Sequence, residues 1–562
     1  MRRTKIVATL GPASSSEDKI IELIKAGMNV ARLNMSHGSH QDHQELITTI
    51  RKASRAVGRE VAILMDLQGP KIRVDKLPAE LVLKAGEEWV IGSSSKQKDY
   101  QKKYSGRYIP TVYDKLIDDC RDGVRILFDD GLLSAEAISR DGDVYKIKVI
   151  TGGTLKSNKG INLPDCVVSA PAFTEKDKKD LLFGLGTEID YIALSFVQRA
   201  EDISQVKHLL HKYKKNIPII AKIEKPQAVD NILSILKVAD VIMVARGDMG
   251  VEAGNHNVPS IQKKLINLCN QHQTPVITAT QMLESMTENP TPTRAEASDV
   301  ANAIWDGTDA VMLSGETASG KYPTETITMM DKIICEAEKT PKERPFLRHM
   351  DLSSVNASLM VAASMMAEKV DAELILSVTE SGHSCRKIAA FRPNKEVLAV
   401  TNSIDTVRRV CLFWGVTPYL LNEKAEEDDF DFQKEVIEKI KDEFKLKNGQ
   451  RVVLTRGDGK FFSKGSANSV KIEVIKNRPS TNHGSDTFIK KEDEKKKILL
   501  DTSICGTCQN CISICPHGIY YAINDEYHST AIDGDKIIHC PMDGECIRVC
   551  PTGAIEIIPK NT

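Results

Sequence analysis

The stretch IPIIAKIEKPQAVDNILSILKVADVIMVARGD, residues 217–248, decides the fold of this chain. It opens and closes with short runs rich in Ile and Val, which predict β-strands over 217–224 and 239–248. Between them, AVDNILSILKVA has the spacing of a helix with one apolar face. Both strand runs are apolar almost throughout, as strands that are covered on both faces require. The stretch therefore predicts one strand–helix–strand unit of a parallel sheet.

The same alternation runs through the first 340 residues, with helical patterns such as SEDKIIELIKAG between the apolar runs. Eight such units predict a chain of the α/β class with a (β/α)₈ TIM barrel. The strand candidates are KIVATLGP (5–12), MNVARLN (28–34), EVAILMD (60–66), DYIALSF (190–196), IPIIAKIE (217–224), ADVIMVARGD (239–248), TPVITAT (274–280) and TDAVMLSGE (308–316).

Other regions depart from this pattern. From about 68 to 169, segments such as ELVLKAGEEWVIG alternate with turns, which predicts a small β-domain inserted after the third barrel strand. The α/β alternation then resumes and predicts an open sheet, and a polar, charged stretch after it predicts a linker. The expected domains are the barrel (1–67 and 170–344), the β insertion (68–169), the open α/β domain (345–476), the linker (477–497) and a small terminal domain (498–562).

The charge balance excludes broad classes of partner. The 562 residues include 76 Lys and Arg against 77 Asp and Glu, a formal net charge of −1. A field of one sign, which would attract nucleic acid or a membrane surface, is therefore missing. No apolar run approaches the roughly 18–20 residues that a membrane span needs. We expect a cytoplasmic protein that binds neither nucleic acid nor membranes.

Polar side chains stand where seven of the eight predicted strands end. In a barrel of this kind the C-terminal strand ends surround one mouth, where catalytic residues gather. One or two polar residues there would only mark the approach to solvent, but so many favour a catalytic site. The residues are Arg32, Asn34, Ser36, Asp66, Ser195, Lys222, Glu224, Asp248, Thr280, Ser314 and Glu316.

Three of these residues suggest the chemistry. Glu224 and Asp248 offer the hard oxygen ligands that Mg²⁺ or Mn²⁺ prefers. Lys222 lies two residues before Glu224 on the same strand, so both side chains share a face. A lysine beside a divalent cation suits the stabilisation of charge on a phosphoryl group in transfer. Taken alone, the K-x-E spacing would equally fit a surface ion pair.

Longer strings identify a family resemblance. Together they resemble pyruvate kinases over residues 1–476, nearly 85% of the chain. The strings are ARLNMSHG (31–38), DLQGPKIR (66–73), KGINLP (159–164), AKIEKPQAV (221–229), MVARGDMGVE (243–252), ATQMLESM (279–286), PTRAEASDVANAIWDGTDAVMLSGETASGKYP (292–323) and TESGHSCRKIAAFRP (379–393).

The resemblance implies phosphoryl transfer from phosphoenolpyruvate to ADP, giving pyruvate and ATP. It implies that Glu224 and Asp248 bind the divalent metal and that Lys222 stabilises the charge on the phosphoryl group and the enolate during transfer. Thr280 would stand beside the enolate carbon and help its protonation. The implied catalytic residues are Lys222, Thr280 and Arg32, and the implied substrate-binding residues are Arg32, Gly247, Asp248, Thr280 and Ser314.

The resemblance also concerns the inserted β-domain, which in the family is a β-barrel lid that closes over the site and excludes water. Residues at its hinge and edge are directed at the nucleotide phosphates. The implied nucleotide-binding residues are Arg73, Lys159, His37 and Asn34. The family further implies a homotetramer.

One departure concerns potassium, which many members of the family require. Those enzymes typically read D-T-K-G-P-E-I-R where this chain reads DLQGPKIR, so that Lys71 replaces an acidic residue. An ammonium group there could supply the charge of the missing ion, which predicts activity without potassium. The alternative is that Lys71 points to solvent. The positions equivalent to the potassium site are Asn34, Ser36, Asp66 and Leu67.

A second candidate site is the stretch 379–384, which follows a predicted strand and precedes a helical pattern. Loop hydroxyls and a helix N-terminus can cradle a phosphate there. The family binds phosphorylated allosteric effectors at this loop. A plain turn with ordinary capping remains the alternative. The loop residues are Thr379, Ser381, Gly382, His383 and Ser384.

The cysteines indicate a metal domain at the end of the chain. Of 13 cysteines, six are scattered between 120 and 411 and seven lie within 505–550. The first four of these seven form a run that reads C-x₂-C-x₂-C-x₃-C-P. This is the ligand spacing of bacterial ferredoxins with two [4Fe–4S] clusters, whereas separated CxxC pairs are typical of zinc sites. By the cross-over rule of those proteins, the first predicted cluster takes Cys505, Cys508, Cys511 and Cys550.

Five positions of this run recur 35 residues later, which indicates a duplicated unit. Asp543 stands where the fourth thiolate of the second cluster belongs. It would ligate a fourth iron, leave a [3Fe–4S] cluster, or be a surface acid beside a lost site. The predicted ligands of this second cluster are Cys515, Cys540, Cys546 and Asp543. Together the repeats predict a small α+β ferredoxin-like domain.

Kinase chemistry needs no electrons, so the role of this domain stays open. It would sense redox state or iron supply, dock a redox partner protein, or serve folding and assembly alone. Two alternatives concern the whole chain. The barrel could be an inactive scaffold for an electron-transfer module, or another phosphoenolpyruvate-handling barrel with lyase or aldolase chemistry.

Overall fold

A computed structural model describes residues 2–166, 168–340, 350, 352, 354–421, 430–457, 467–475, 488–493, 496–501, 519–522, 530–532, 546–547, 550 and 555–559. The chain divides into two compact units. The first holds residues 1–353, 381–392 and 403–420, and the second holds 354–380, 393–402 and 421–562. Among the described residues, no helix is both long enough and apolar enough to cross a bilayer.

The first unit begins with strands that are buried along almost their whole length, as the apolar runs predict. The helix between the second and third strands begins at a capping box, in which Ser39 and Asp42 each bind the other's backbone amide. The elements are β1 (Lys5–Thr9), α1 (Glu17–Ala26), β2 (Val30–Asn34), α2 (His40–Val57) and β3 (Ala62–Asp66).

A β-domain follows β3, as predicted, and we call residues 68–169 the lid. Its main sheet has six strands in the order β11-β7-β8-β9-β5-β6, and β4 pairs with β10. A separate apolar cluster fills its interior. The elements are β4 (Leu81–Leu83), β5 (Glu88–Ser93), α3 (Gln97–Lys103), β6 (Tyr108–Thr111), α4 (Leu116–Asp119), β7 (Arg125–Phe128), β8 (Leu133–Asp141), β9 (Val144–Thr151), β10 (Gly153–Leu155) and β11 (Ile161–Asn162).

The remaining strands complete the barrel. They are β12 (Tyr191–Leu194), β13 (Ile219–Ile223), β14 (Val241–Ala245), β15 (Val276–Ala279) and β16 (Ala310–Leu313). The helices are α5 (Glu175–Leu185), α6 (Ala200–Lys212), α7 (Pro226–Asp230), α8 (Ile232–Leu236), α9 (Arg246–Ala253), α10 (Val258–Gln271), α11 (Arg294–Asp306), α12 (Gly315–Ala318) and α13 (Pro323–Ala337).

Parallel pairing joins β1, β2, β3 and β12 through β16 into a closed ring, which confirms the eight-stranded barrel. The strands are shorter than the candidate runs because the runs also include the loop residues that follow each strand. The single helix expected between β13 and β14 is two short helices, α7 and α8. The break falls at Asn231, a poor helix former whose amide instead donates to Gln198 O at 3.0 Å.

One carboxylate fastens both connections between barrel and lid. Asp177 caps α5 by accepting from the Thr174 backbone N–H at 2.9 Å, and its other oxygen accepts from Gly69 N–H at 3.0 Å. Gly69 has φ +70°, and a Cβ there would lie 2.9 Å from side-chain atoms of Ser195 and Phe196. The lid therefore leaves the barrel at a position that only glycine fits without strain.

The next elements are α14 (Val355–Lys369), β17 (Leu374–Val378), α15 (His383–Ala390), β18 (Glu396–Thr401), α16 (Ile404–Val410), β19 (Val416–Leu420), α17 (Phe430–Phe444), β20 (Arg451–Gly457) and β21 (Ala467–Val474). In the second unit β17 pairs in parallel with β18 and β20, and β21 joins β20 antiparallel, so an open α/β sheet is present as expected.

The elements α15, α16 and β19 belong to the first unit, although the sequence assigned them to a domain over 345–476. Buried polar contacts hold them to the barrel. Arg392, two residues after α15, pairs with Asp309 at 2.6 Å, and Tyr191 OH donates to Arg409 O at 2.7 Å. These partners are far apart in sequence, so local patterns give no sign of them.

The described part of the tail consists of strands β22 (Phe488–Glu492), β23 (Lys496–Asp501), β24 (Tyr520–Ala522), β25 (Thr530–Ile532) and β26 (Ile555–Pro559). β23 pairs antiparallel with both β22 and β26, and β24 pairs with β25. Strand β22 occupies part of the stretch 477–497, for which the composition predicts a linker. It lies at the edge of its sheet, where the exposed Lys490 and Lys491 protect the edge from pairing with another strand. The same charged residues give the stretch the composition of a linker.

Candidate active site

The C-terminal ends of the barrel strands bring the predicted site residues to one mouth. All eight strands are parallel, so the residues at these ends surround the same opening. Three positions follow a strand directly: Glu224 after β13, Thr280 after β15 and Ser314 after β16, and α9 with Gly247 and Asp248 begins where β14 ends. Arg32, Asp66 and Lys222 lie within the last residues of their strands.

The ammonium group of Lys222 lies at the centre of a buried ion cluster. It donates to Ser195 Oγ at 2.7 Å and lies 3.0 Å from Glu224 Oε1 and 3.3 Å from Asp66 Oδ1. Burial alone would lower the pKa of Lys222, but the two carboxylates outweigh it and hold that pKa above its ordinary value. Lys222 is therefore a permanent positive charge rather than a base.

Asp66 joins that cluster to a second cation. Arg32 Nε donates to Asp66 Oδ2 at 2.7 Å, and Arg32 Nη1 donates to Thr9 Oγ1 at 2.9 Å. Burial alone would raise the pKa of Asp66, but the charges of Lys222 and Arg32 hold that pKa below its usual range. One ionised carboxylate thus orients both cations at the mouth.

Glu224 is buried, and Oε2 accepts a hydrogen bond from Phe196 N–H at 2.7 Å. Burial raises the pKa of Glu224 to about 7; Lys222 opposes the rise, and the charge of Asp248 adds to it. Oε1 pairs with the Lys222 ammonium at 3.0 Å. The charge of Asp248 acts on Glu224 against that of Lys222.

Two carboxylates whose like charges oppose each other fit a divalent cation. Mg²⁺ and Mn²⁺ take carboxylate oxygens and usually fill their remaining positions with substrate and water oxygens. Within the described residues, no group of three or more His, Cys, Asp or Glu side chains is arranged to hold a metal.

Thr280 and Gly247 connect two neighbouring strand ends. Gly247 N–H donates to Thr280 Oγ1 at 2.7 Å, and that hydroxyl donates to Ala279 O at 2.6 Å. Thr280 has φ +70°, a left-handed conformation that is rare for a β-branched residue. Such strain persists where surrounding contacts impose it, and it often marks functional sites.

Ser314 is held by its neighbour on the chain. Its backbone N–H donates to Glu316 Oε2 at 2.6 Å, and Glu316 Oε1 accepts from Leu283 N–H at 3.2 Å. Glu316 is fully buried. This acid of the predicted polar set therefore supports the mouth by joining the end of β16 to the loop after β15.

The predicted nucleotide residues of the lid are half-exposed or exposed. Arg73 Nη1 donates to Asn158 O at 3.0 Å, and Lys159 pairs with Asp129 at 2.7 Å. The hydrogen bond to Asp129 raises the pKa of Lys159. A cleft separates this edge from the barrel, and it is lined by Lys71, Gly160, Asn162, Lys225, Asp248 and Glu252.

Lid and barrel also touch directly across this cleft. Asn162 Nδ2 donates to Glu252 Oε1 at 2.9 Å, and Lys225 Nζ lies 3.6 Å from the same oxygen. Glu252 is buried on α9, the helix that carries Asp248. Glu252 was not among the predicted residues, although it stands within the quoted string MVARGDMGVE.

The positions equivalent to a potassium site lie on β2, on β3 and just beyond them. Asn34 Oδ1 accepts from Ser36 N–H at 3.1 Å, and Leu67 O accepts from Ser195 Oγ at 2.7 Å. His37 O accepts from the His43 ring at 2.9 Å. The Lys71 side chain runs past Gly160, where a Cβ would lie 3.4 Å from Lys71 Cε. It therefore borders the cleft between lid and barrel.

The candidate effector loop lies between β17 and α15. Gly382 precedes α15 with φ +79°, and Ser384 is buried in the first turn of that helix. Thr379, at the other end of the loop, is buried and donates its N–H to Val400 O at 2.9 Å. Thr379 belongs to the second unit, whereas 381–384 belong to the first.

Two predicted iron–sulfur ligands lie among the described residues. Cys546 is buried, and its thiol accepts a hydrogen bond from Tyr520 OH at 3.3 Å. Cys546 and Tyr520 belong to a small apolar cluster of the tail, and Cys550 packs against this cluster. The remaining predicted ligands lie outside the described residues: Cys505, Cys508, Cys511, Cys515, Cys540 and Asp543.

Comparisons with known proteins agree with this geometry. The family model for the pyruvate kinase barrel domain matches residues 1–327, and that for the pyruvate kinase alpha/beta domain matches residues 357–473. A pyruvate kinase of Sporosarcina psychrophila is 44% identical over 483 residues, 84% of this chain and 81% of the relative. One of Staphylococcus aureus strain USA300 is 42% identical over 482 residues, with the same coverage.

Proposed function

The chain belongs to the pyruvate kinase family of phosphotransferases, and we propose that it transfers the phosphoryl group of phosphoenolpyruvate to ADP in glycolysis. The bond between phosphorus and the enol oxygen breaks, and a bond to a β-phosphate oxygen of ADP forms. The enolate left behind takes a proton at its methylene carbon and becomes pyruvate. The observation that carries this proposal is the buried Lys222 ammonium between Ser195, Asp66 and Glu224.

A fixed cation of this kind suits phosphoryl transfer. Charge moves to the enol oxygen and over the phosphoryl oxygens as the bond breaks, and an ammonium group in a dry site stabilises it without reorganising. Lys222 keeps its proton because two carboxylates surround it. Arg32, oriented by the same Asp66, would bind the phosphoryl oxygens from a second side.

Glu224 and Asp248 would hold Mg²⁺ or Mn²⁺ together with substrate oxygens. When bound, the cation neutralises phosphoryl and carboxylate charge and orients the substrate. The first turn of α9, which contains Gly247 and Asp248, would receive the substrate carboxylate at a helix N-terminus, while the Gly247 N–H itself stays bound to Thr280 Oγ1. Ser314 would line the same wall, and the Thr280 hydroxyl would lie near the carbon that takes the proton.

The lid would supply the nucleotide contacts. We assign Arg73 and Lys159 to the ADP phosphates, with His37 and Asn34 on the barrel side. Lys159 would exchange Asp129 for a phosphate oxygen, because a half-buried ion pair with a single partner can be replaced by a pair with phosphate. The contact between Asn162 and Glu252 supports closure of the lid on α9.

A coupled assay with phosphoenolpyruvate, ADP and Mg²⁺ tests the proposal, with pyruvate measured by its reduction. Substitution Lys222→Met should lower kcat by about 10³-fold, since electrostatic groups at developing charge carry such effects. Mn²⁺ binding, measured by paramagnetic resonance, should persist in this variant. An inactive wild-type chain would refute kinase activity and support the scaffold alternative, and release of inorganic phosphate or carbon–carbon bond cleavage would support the lyase or aldolase alternative.

We further propose activity without potassium, which many enzymes of this family require. The support is Lys71 in the string DLQGPKIR and its course along the cleft beside Gly160. Titration with KCl at constant ionic strength tests it, with tetramethylammonium as the balancing cation. A strong rise of kcat with K⁺ would exclude this part of the proposal, and Lys71→Glu should create such a dependence.

For the tail we propose a ferredoxin-like module with one [4Fe–4S] cluster and a second [4Fe–4S] or [3Fe–4S] cluster. The ligand spacing and the duplicated repeat support it, as does the hydrogen bond from Tyr520 to the Cys546 sulfur. Iron and acid-labile sulfide should be present in protein purified without oxygen. Cys505→Ser should lose the first cluster, and bound zinc in place of iron would refute the module.

The favoured role of that module is redox or iron sensing, with partner docking or assembly as the alternatives. Kinase rates of oxidised and dithionite-reduced protein, at subsaturating phosphoenolpyruvate, separate them. A several-fold difference that Cys505→Ser abolishes supports sensing, and equal rates exclude it.

We also propose a homotetramer, to be tested by sedimentation. We further propose that a phosphorylated effector binds at 379–384, to be tested by calorimetry with sugar phosphates, with Ser381→Ala as the comparison.

A further inference from the structure

A buried arginine next to the substrate wall has no place in the roles assigned so far. Arg246 stands between β14 and Gly247, and it is 8% exposed. Its guanidinium reaches across to the loop after β15. Nη2 donates to Thr280 O at 2.7 Å and to Gln281 O at 3.2 Å, and Nε lies 3.3 Å from Ala279 O. One cation thus binds three consecutive backbone carbonyls.

The opposite edge of the guanidinium is anchored in α11. Nη1 donates to Asp299 Oδ1 at 2.8 Å and lies 2.7 Å from Oδ2. Gln262 on α10 accepts a further bond from Nη1 at 3.3 Å. The planar fork of arginine makes these contacts at fixed angles, and lysine cannot reproduce them. The position of the group is therefore set from both sides.

The bound loop has an unusual backbone. Thr280 and Gln281 are both left-handed, with φ +70° and +53°. Each such residue is strained by roughly 1–2 kcal/mol when it carries a Cβ. Three carbonyl dipoles also point at one place, which is unfavourable unless a cation or several donors meet them. Arg246 supplies both the charge and the donors.

This conformation decides where the Thr280 hydroxyl stands. The hydroxyl accepts from Gly247 N–H at 2.7 Å and donates to Ala279 O at 2.6 Å, so one lone pair remains. Gly247 follows Arg246 directly, and Ala279 is one of its carbonyl partners. The same guanidinium therefore borders both groups that orient the hydroxyl.

We infer that Arg246, held by Asp299, is a positioning residue that fixes Thr280 for the proton-transfer half of the reaction. This inference rests on the proposed function, because it assigns a support to Thr280 within that site. Arg246 acts through the loop 279–281 and through Gly247, and it need not touch the substrate.

A double-mutant cycle between Arg246 and Thr280 tests it. The readouts are kcat for the kinase reaction and exchange of pyruvate methyl hydrogens with D₂O in the presence of ATP and Mg²⁺, followed by NMR. Arg246→Lys should lower kcat and exchange about 10- to 100-fold, with the KM for phosphoenolpyruvate changing less than about 3-fold. In a Thr280→Ala background the same change should cost less than about 2-fold.

A milder variant and a matched control guard against loss of folding. Asp299→Asn keeps the guanidinium and weakens its anchor, so we expect the same non-additive pattern with a loss of about 3- to 10-fold. Arg51→Lys is the control. Arg51 is likewise buried, donates to Val61 O and Glu188 O at 2.6 Å and pairs with Asp190, but it lies at the N-terminal strand ends. It should lower Tm without changing the exchange rate relative to kcat.

Additive losses from Arg246→Lys and Thr280→Ala in both readouts would overturn the inference. So would an Arg246 effect confined to Tm, matching that of Arg51→Lys. These outcomes are distinct from failure of the proposed function, because a wild-type chain without kinase activity fails before any variant is compared. A wild-type chain that is active, with additive variants, refutes only the positioning role.

Discussion

The mouth of the barrel and the facing edge of the lid both carry cations that we propose to bind phosphate, but the two regions hold these cations differently. At the mouth, Arg32 is buried, Lys222 is only 12% exposed, and both are already paired with carboxylates. At the lid edge, Arg73 binds one carbonyl, and Lys159 pairs with a single aspartate. In the proposed reaction the barrel would have its charges in place before substrate binds, whereas the lid would have to exchange its contacts.

The difference separates catalysis from binding. A charge fixed in a dry site stabilises a transition state without reorganising, and its removal lowers kcat. A solvated charge that changes partner contributes mainly to binding, and its removal raises KM. The following substitutions test this separation, beginning with the largest expected effect.

Asp66→Asn should be the most damaging of these changes. It leaves both Arg32 and Lys222 without their shared carboxylate, so we expect kcat to fall about 10²- to 10³-fold. Breaking a buried pair on one side also costs about 3–5 kcal/mol of stability. Steady-state kinetics and thermal unfolding measure the two effects. A large rise in KM with kcat intact would contradict the assignment of this cluster to catalysis.

Lys159→Met should act on binding instead. The KM for ADP should rise about 10-fold while kcat changes less than about 3-fold, because the lost contact is equal in ground and transition states. Lys156→Met is the matched control, since Lys156 is also a lid lysine with one carboxylate partner, Glu80, although it is more exposed than Lys159. The control should leave the KM for ADP unchanged. A fall in kcat like that of Asp66→Asn would erase the proposed difference between lid and barrel.

Asn162→Ala tests the direct contact between the two regions. It removes the hydrogen bond to Glu252 and leaves a buried carboxylate with a more distant partner, Lys225. We expect kcat/KM for ADP to fall about 3- to 10-fold, which corresponds to the roughly 0.5–1.5 kcal/mol that one hydrogen bond contributes on balance. Stopped-flow kinetics of lid closure should slow in parallel. Unchanged kinetics would mean that the contact plays no part in closure.

Arg125→Ala should have the smallest effect, since its bidentate pair with Asp165 is exposed on the lid. The hydrogen bond from Arg125 lowers the pKa of Asp165. A lowered pKa in the folded state stabilises the lid above the ordinary carboxyl pKa, and this gain is lost as the pH falls. Removing the pair should cost about 0.2–1 kcal/mol at neutral pH. Thermal unfolding at neutral and at acidic pH should show this cost shrinking on acidification.

Local patterns predicted the barrel because each strand is apolar on both faces and ends in polar residues. They located Lys222, Glu224, Asp248 and Thr280 at strand ends, where the structure places them. The functions of these residues rest on the family resemblance and stay predictions. The patterns could indicate which residues stand at the C-terminal end of a strand. Because the barrel is closed and parallel, residues at those ends also lie around the same mouth.

Contacts between distant segments could not be predicted in this way. Arg246 reads as one more basic residue in the string MVARGDMGVE, and its partners Thr280 and Asp299 lie 34 and 53 positions away. Arg392 and Asp309, which join α15 to the barrel, are 83 positions apart. One feature of the sequence could have pointed to Arg246. It is a charged residue directly after a fully buried strand, where a charge must find partners.

The single carboxylate of Asp177, which binds both Gly69 and Thr174, has a consequence for modularity. The two points where the chain leaves and re-enters the barrel are neighbours in space, since one side chain reaches both backbone amides. An insertion with adjacent ends can be excised without opening its host. A short glycine–serine bridge from Gly69 to Thr174 should therefore yield a closed, foldable barrel. The lid is therefore an inserted segment that recombination could replace as one unit, with the barrel fold left intact.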